Sequence, residues 1–164
     1  SMAFFRRIFA ERAEHFQDIE TDYRYVDAMA LDMVRKPWDY DILVMENMFG
    51  DILSDLGAGV VGGMGMAPCG EIGLSHALFQ PAHGSAPDIA GTGKANPTAM
   101  LISAAIMLEW LGNRHSVSEC INEARRLRIA IEEGYAEREF LPYEFGGSSS
   151  CRQITESIIE RLEN

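Results

Sequence analysis

The chain has 164 residues, with 25 Asp and Glu against 14 Lys and Arg and a formal net charge of -11. A field of that sign repels phosphate backbones and anionic lipid, so nucleic acid and membrane surfaces are not expected as partners. With 47% hydrophobic and 24% charged residues the composition is that of one soluble globular domain, neither disordered nor fibrous.

The charge-free runs 56–70 and 95–108 fall short of the roughly 20 residues a membrane helix needs. At the start, Arg6 and Arg7 stand inside the apolar stretch, which is not the pattern of a signal peptide. Cys69, Cys120 and Cys151 are widely spaced and form no C-x-x-C pair, the usage of reduced thiols in a cytoplasmic protein.

Phe4, Phe5, Ile8, Phe9 and Phe16 recur at helical intervals among charged residues and predict an amphipathic first helix. Residues 21–26 alternate polar and apolar as a short strand does. Met29, Leu31 and Met33 predict a helix over 28–35, ended by Pro37. The run 41–46 reads as a buried strand, so strand, helix and strand together predict an α/β sheet. A helix is expected from Phe49 to about Val61, then an irregular glycine-rich passage through Gly73 and a short strand at 77–80. Residues 83–88 form a Gly/Pro loop. Asn96 and Pro97 open a long helix expected to stop at Gly112, followed by a charged helix capped by Ser116 or Ser118 and a last amphipathic helix after the turn at 146–150.

Asp51 and Asp55 lie four apart, so on a helix both carboxylates project from one face. Like charges at that spacing repel by a few tenths of a kcal/mol, and a hard divalent ion with oxygen ligands is one way to offset it, a solvated acidic face the other. Gly57-x-Gly59-x-x-Gly62 has the letters of a dinucleotide fingerprint but follows a helical stretch rather than a strand, so a small-residue face packed on another helix is the preferred reading. His83, Ser85 and Asp88 stand too close in sequence to converge as a hydrolytic triad. As a nucleotide seat the same loop makes chemical sense: small residues admit a ligand to the backbone, Asp88 can accept two ribose hydroxyls, and Asn96 can pair with an adenine edge. A tight structural loop with a helix cap explains it as well.

Taken together, Tyr25-Val26-Asp27-Ala28-Met29-Ala30, the run Glu46–Asp55, and His83–Gly91 followed by Ala95-Asn96-Pro97 closely resemble the isocitrate/3-isopropylmalate dehydrogenase family, in the family's own order. The resemblance implies the C-terminal part of that α/β fold, with dimer-forming helices. It divides the chain into a metal-ligand and dimerisation part, 1–61, and an NAD-binding part, 62–164. By resemblance Asp27, Asp51 and Asp55 are catalytic Mg²⁺ or Mn²⁺ ligands, Asp27 reaching across a dimer interface. Asn47, His83, Gly84, Ser85, Ala86, Asp88, Ile89, Ala95 and Asn96 are the corresponding cofactor contacts. Asp88-Ile89 stands where NADP-dependent relatives commonly place Lys-Tyr, and a carboxylate there repels a 2′-phosphate, which selects NAD. Gln80 departs from the family's usual Glu.

The implied function is metal-assisted, NAD-dependent oxidative decarboxylation of a 2-hydroxy acid of the 3-isopropylmalate type by a cytoplasmic homodimer. Isocitrate, homoisocitrate and tartrate or malate are the alternative substrates. The resemblance puts the family's catalytic Lys and Tyr and its substrate-binding arginines upstream of Ser1, so these 164 residues alone are expected to be inactive or very slow. A non-catalytic binding subunit and a plain dimerisation module are the competing classes. Met29, Met33, Ile52, Leu53 and Leu56 carry the dimer expectation, as more apolar surface than two solvent-facing helices should show.

Overall fold

The computed structural model describes residues 2–163 and divides into two units, 1–45 and 46–164. The smaller unit holds α1 (Met2–Ala13), α2 (Val26–Arg35) and a 3-10 turn, Pro37–Asp39. The larger holds α3 (Asn47–Val60), a 3-10 turn at Met64–Met66, β1 (Pro68–Ile72), β2 (Ala77–Pro81), a 3-10 turn at Pro87–Ile89, α4 (Thr98–His115), α5 (Ser118–Ala136), a 3-10 turn at Tyr143–Phe145 and α6 (Cys151–Glu163). The division falls at 45/46, so α3 belongs with the segments that follow it rather than with those before.

Among the described residues six helices form in the segments whose spacing predicts them, although α1 ends at Ala13 and leaves Phe16 outside it. The strands do not. Residues 21–25 and 41–46 take no regular secondary structure and pair with no strand among the described residues, and Ile42 is 82% exposed. A strand needs a partner for its N–H and C=O groups; an apolar run supplies only the side chains. The strand–helix–strand unit is therefore absent. The one sheet among the described residues is an antiparallel hairpin with Cys69 opposite Gln80, and its first strand lies inside the passage expected to be irregular. It rests on α4: Ser103 Oγ lies 2.8 Å from the Gln80 carbonyl and accepts the Cys69 N–H at 3.4 Å. The Phe79 and Trp110 rings meet at 5.9 Å.

Gly112 does not end α4, which runs on to His115 and turns at Ser116, φ 56°. Its hydrogen atom serves packing instead. A Cβ there would stand 2.5 Å from Ile121 Cγ1 and 2.9 Å from the Val117 carbonyl oxygen, so α4 and α5 can approach this closely only over glycine. Neither expected serine caps α5; Val117 holds the N-cap position without a side-chain bond. Of the small residues at 57–62, neither Gly59 nor Gly62 seats an α-helix, while Ala58 is buried. A Cβ at Gly59 would have open space, and Gly62, at φ 120°, lies against the Phe145 ring. The hydrophobic core gathers Ala105, Leu127, Ala130, Ile131, Phe140, Ile154 and Ile158 from α4, α5, α6 and the segment between them.

Candidate functional site

Asp51 and Asp55 occupy successive turns of α3 and are both exposed, while Leu53 and Ala58 of the same helix are buried. The amphipathic pattern thus anchors α3 by one side and leaves the acid pair on the other. Asn47 Nδ2 reaches Asp51 Oδ2 at 3.5 Å, and among the described residues no cation pairs with either carboxylate. Two exposed oxygen-donor side chains one turn apart suit a hard divalent ion. Among the described residues no three His, Cys, Asp or Glu side chains gather as a ligand set. Asp27 lies in the other unit, in the first turn of α2, where its Oδ1 accepts the Ala28 N–H at 2.8 Å.

The turn at Met64–Met66 that follows α3 leads to the second cluster. The loop 83–96 runs from β2 to α4 with Gly84, Ser85, Ala86, Asp88 and Ala95 exposed, and His83 and Ile89 half-buried. Ala86 is held left-handed at φ 41°, a conformation that costs a non-glycine residue about 1 kcal/mol. The Pro87–Ile89 turn starts there, with the Ile89 N–H donating to the Ala86 carbonyl at 3.1 Å. His83 Nδ1 lies 2.8 Å from the Gly84 carbonyl oxygen. The Asp88 carboxylate makes no bond among the described residues and is open to a hydroxyl donor.

Asn96 behaves differently from the adenine reader that the sequence offers. It is only 8% exposed, and its amide is fully engaged: Nδ2 donates to Glu144 Oε2 at 3.0 Å, while Oδ1 accepts the Thr98 N–H at 3.1 Å and the Thr98 hydroxyl at 2.7 Å. Its Oδ1 thus takes up the first N–H of α4, one residue ahead of Pro97 at the N-cap position. Thr98 and Tyr135 exchange a 2.7 Å hydroxyl bond, and burial pushes the Tyr135 phenol up from its ordinary value, against the lowering effect of the bonds from Thr98 and Asn96. Glu144, Thr98 and Tyr135 were not among the residues that the sequence singles out. Glu144 is separated from Asn96 by 48 residues, and no local spacing connects them.

The sequence pattern of the isocitrate/isopropylmalate dehydrogenase family matches residues 1–158, and the chain belongs to that family. A probable isocitrate dehydrogenase [NAD] subunit alpha of Drosophila melanogaster is 43% identical over 96% of this chain and 40% of its own length. The 3-isopropylmalate/3-methylmalate dehydrogenase of Methanocaldococcus jannaschii is 42% identical over 96% of this chain and 45% of its own. The crystal structure of isocitrate dehydrogenase from Methylococcus capsulatus superposes with a TM-score of 0.89 at 41% identity, covering 99% of this chain and 46% of that one. The fold is therefore the mixed α/β fold of this family, and the chain spans less than half the length of these relatives.

Proposed function

We propose that the chain is the metal- and cofactor-binding part of an NAD-dependent β-decarboxylating dehydrogenase acting on a 2-hydroxy acid of the 3-isopropylmalate type. The observation that carries the reading is the pairing, within one unit, of an exposed acid pair on α3 with an open loop bearing an unpaired Asp88. Isocitrate is supported equally, because relatives of both names match at nearly the same identity. Homoisocitrate and tartrate or malate remain the further alternatives.

Asp51 and Asp55 hold the divalent ion through their carboxylate oxygens, Asn47 orients Asp51, and Asp27 completes the set from a second copy in a homodimer. When bound, Mg²⁺ or Mn²⁺ supplies the Lewis acidity that activates the hydroxyl and carboxylate oxygens of such a substrate. Asp88 accepts the adenosine ribose hydroxyls and disfavours a 2′-phosphate, while Gly84, Ser85 and Ala86 bring the backbone close to the cofactor. His83, Ile89 and Ala95 line the same loop. Half-buried Met33 in the smaller unit, and exposed Ile52 with half-buried Leu56 in the larger, each offer apolar surface to a dimer; Met29 and Leu53 are already buried within the chain. The three free cysteines fit a reducing compartment such as the cytoplasm.

Calorimetric titration of the chain with Mn²⁺ and then NAD tests this reading. Saturable binding of both, with Mn²⁺ binding lost in Asp51→Asn, is the expected result. Binding of neither would leave only a dimerisation module. Metal and NAD binding without NADH formation from any candidate acid, even with the upstream half of a family enzyme supplied, would make it a non-catalytic subunit.

A further inference from the structure

The Glu144 carboxylate sits between two parts of the chain far from it in sequence. Oε1 accepts the Gly65 N–H at 3.0 Å, and Oε2 accepts Asn96 Nδ2 at 3.0 Å. Two glycines make room for it. A Cβ at Gly63 would stand 2.2 Å from Oε1, and one at Gly65 would stand 2.3 Å from Oε2. With Nδ2 held by Glu144, the other end of the Asn96 amide must face Thr98, where it takes up the first N–H of α4; the amide orientation and the helix start are set by one acceptor.

The turn that carries Glu144 is itself closed. The Leu141 N–H donates to Ser149 Oγ at 2.9 Å, the Ser149 N–H to the Leu141 carbonyl at 3.0 Å, and the Gly147 N–H to the Pro142 carbonyl at 3.0 Å. Its far end grips the loop a second time, the Cys151 N–H donating to the Gly93 carbonyl at 2.8 Å. Residues 93 and 96 are thus both fastened to the 141–151 segment, while residues 84–88 stay open.

We propose that Glu144 is the positioning residue of the cofactor loop, fixing the Asn96 segment so that the adenosine half of the dinucleotide meets a preformed backbone; this rests on the cofactor reading above. Both of its oxygens are engaged by the protein, so it acts through Asn96 rather than on the ligand. Only a carboxylate can accept from both donors. A glutamine offers one oxygen and turns an N–H₂ toward the second donor.

The test compares Glu144→Gln, Asn96→Ala and the double variant by calorimetric titration with NAD and ADP-ribose and by amide hydrogen exchange without ligand. Glu144→Gln should weaken both ligands by about tenfold, the scale of one lost charge-assisted bond, and speed exchange across 91–98 while α5 and α6 keep their protection. Asn96→Ala should lose a similar factor and the double variant no more than the larger single loss, because the two residues act as one unit. Additive losses would overturn the inference by making Glu144 an independent contact. Unchanged exchange in Glu144→Gln would overturn it by showing that the loop does not depend on this carboxylate. Unchanged affinity with faster exchange would leave Glu144 a purely structural clamp and overturn its cofactor role. A parent chain that binds no NAD would sink the cofactor reading itself, an outcome separate from the exchange result.

Discussion

Residues 26–40 and residues 98–163 are both helical, yet different forces hold them. In the first stretch Met29 is the one buried hydrophobic side chain, and the organising group is a carboxylate. Asp32 accepts the Tyr40 hydroxyl at 2.6 Å and has Lys36 at 3.6 Å and Arg24 at 3.9 Å. In the second stretch Ile154 and Ile158 are fully buried in a cluster with Ala105, Leu127, Ala130, Ile131 and Phe140, and charges such as Arg161 with Glu133, Glu137 and Glu139 lie outside that core. Apolar burial scales with area and survives salt and acid, whereas an exposed polar cluster is weak and depends on ionisation. Helical periodicity alone does not tell which of the two a segment will use.

The sharpest way to break this contrast is Ile154→Ala. It removes a side chain with no exposed surface and should cost about 3–4 kcal/mol, read as a fall in the urea midpoint of the larger unit. A loss below about 1 kcal/mol would mean that this core does not carry the unit. Gly112→Ala should cost about 1–3 kcal/mol by forcing α4 and α5 apart at Ile121, even though alanine is the better helix former. Asp51→Asn should weaken Mn²⁺ binding by tenfold or more, about 1.4 kcal/mol, while leaving the unfolding midpoint unchanged or slightly raised as the repulsion with Asp55 is relieved.

The pH response should separate the two regions. The Tyr40 hydroxyl bond, followed by Lys36 and Arg24, holds the Asp32 carboxyl below its ordinary value of 3.8. Its contribution is therefore complete above that value and is lost as the pH falls through the lower, folded value. Hydrogen-exchange protection in 24–40, measured against the intrinsic rate at each pH, should fall in acid well before that of 98–136, and Asp32→Asn should show low protection there already at neutral pH. Equal acid responses of the two stretches would refute the distinction. The smallest effect is expected for Leu31→Ala, at 54% exposure, which should change stability by less than about 0.5 kcal/mol in the chain alone.

Particular residues show what could be read in advance. The spacing of Asp51 and Asp55 places both on one exposed face, and the structure puts them there. The composition of 83–88 marks an ordered loop, which forms, and Asn96 accepts the first N–H of α4 from Thr98, although Pro97 rather than Asn96 holds the N-cap position. The same sequence that makes Asn96 a good cap made it a plausible adenine reader, and only the position of Glu144 shows that its amide is already taken. Ile42 and Val44 look like core strand residues and are exposed, because apolar composition does not specify a pairing partner. Gly112 looked like a helix stop and is a helix–helix contact.

The sequence by itself determined the six helices of the described residues, the family, the face of α3 that carries the acids and the loop at 83–88. Each of these rests on hydrogen bonds or spacings that close within a few residues, or on motifs contiguous in the chain. Only the tertiary structure decided which extended runs became strands, why Gly63, Gly65 and Gly112 must lack side chains, and that Glu144 holds Asn96. The Glu144 contacts reach 48 and 79 residues along the chain, while the hairpin and the Gly112 contact depend on a neighbouring segment folding back; in each case the free energy depends on whether the intervening chain delivers the partner, which local patterning does not encode.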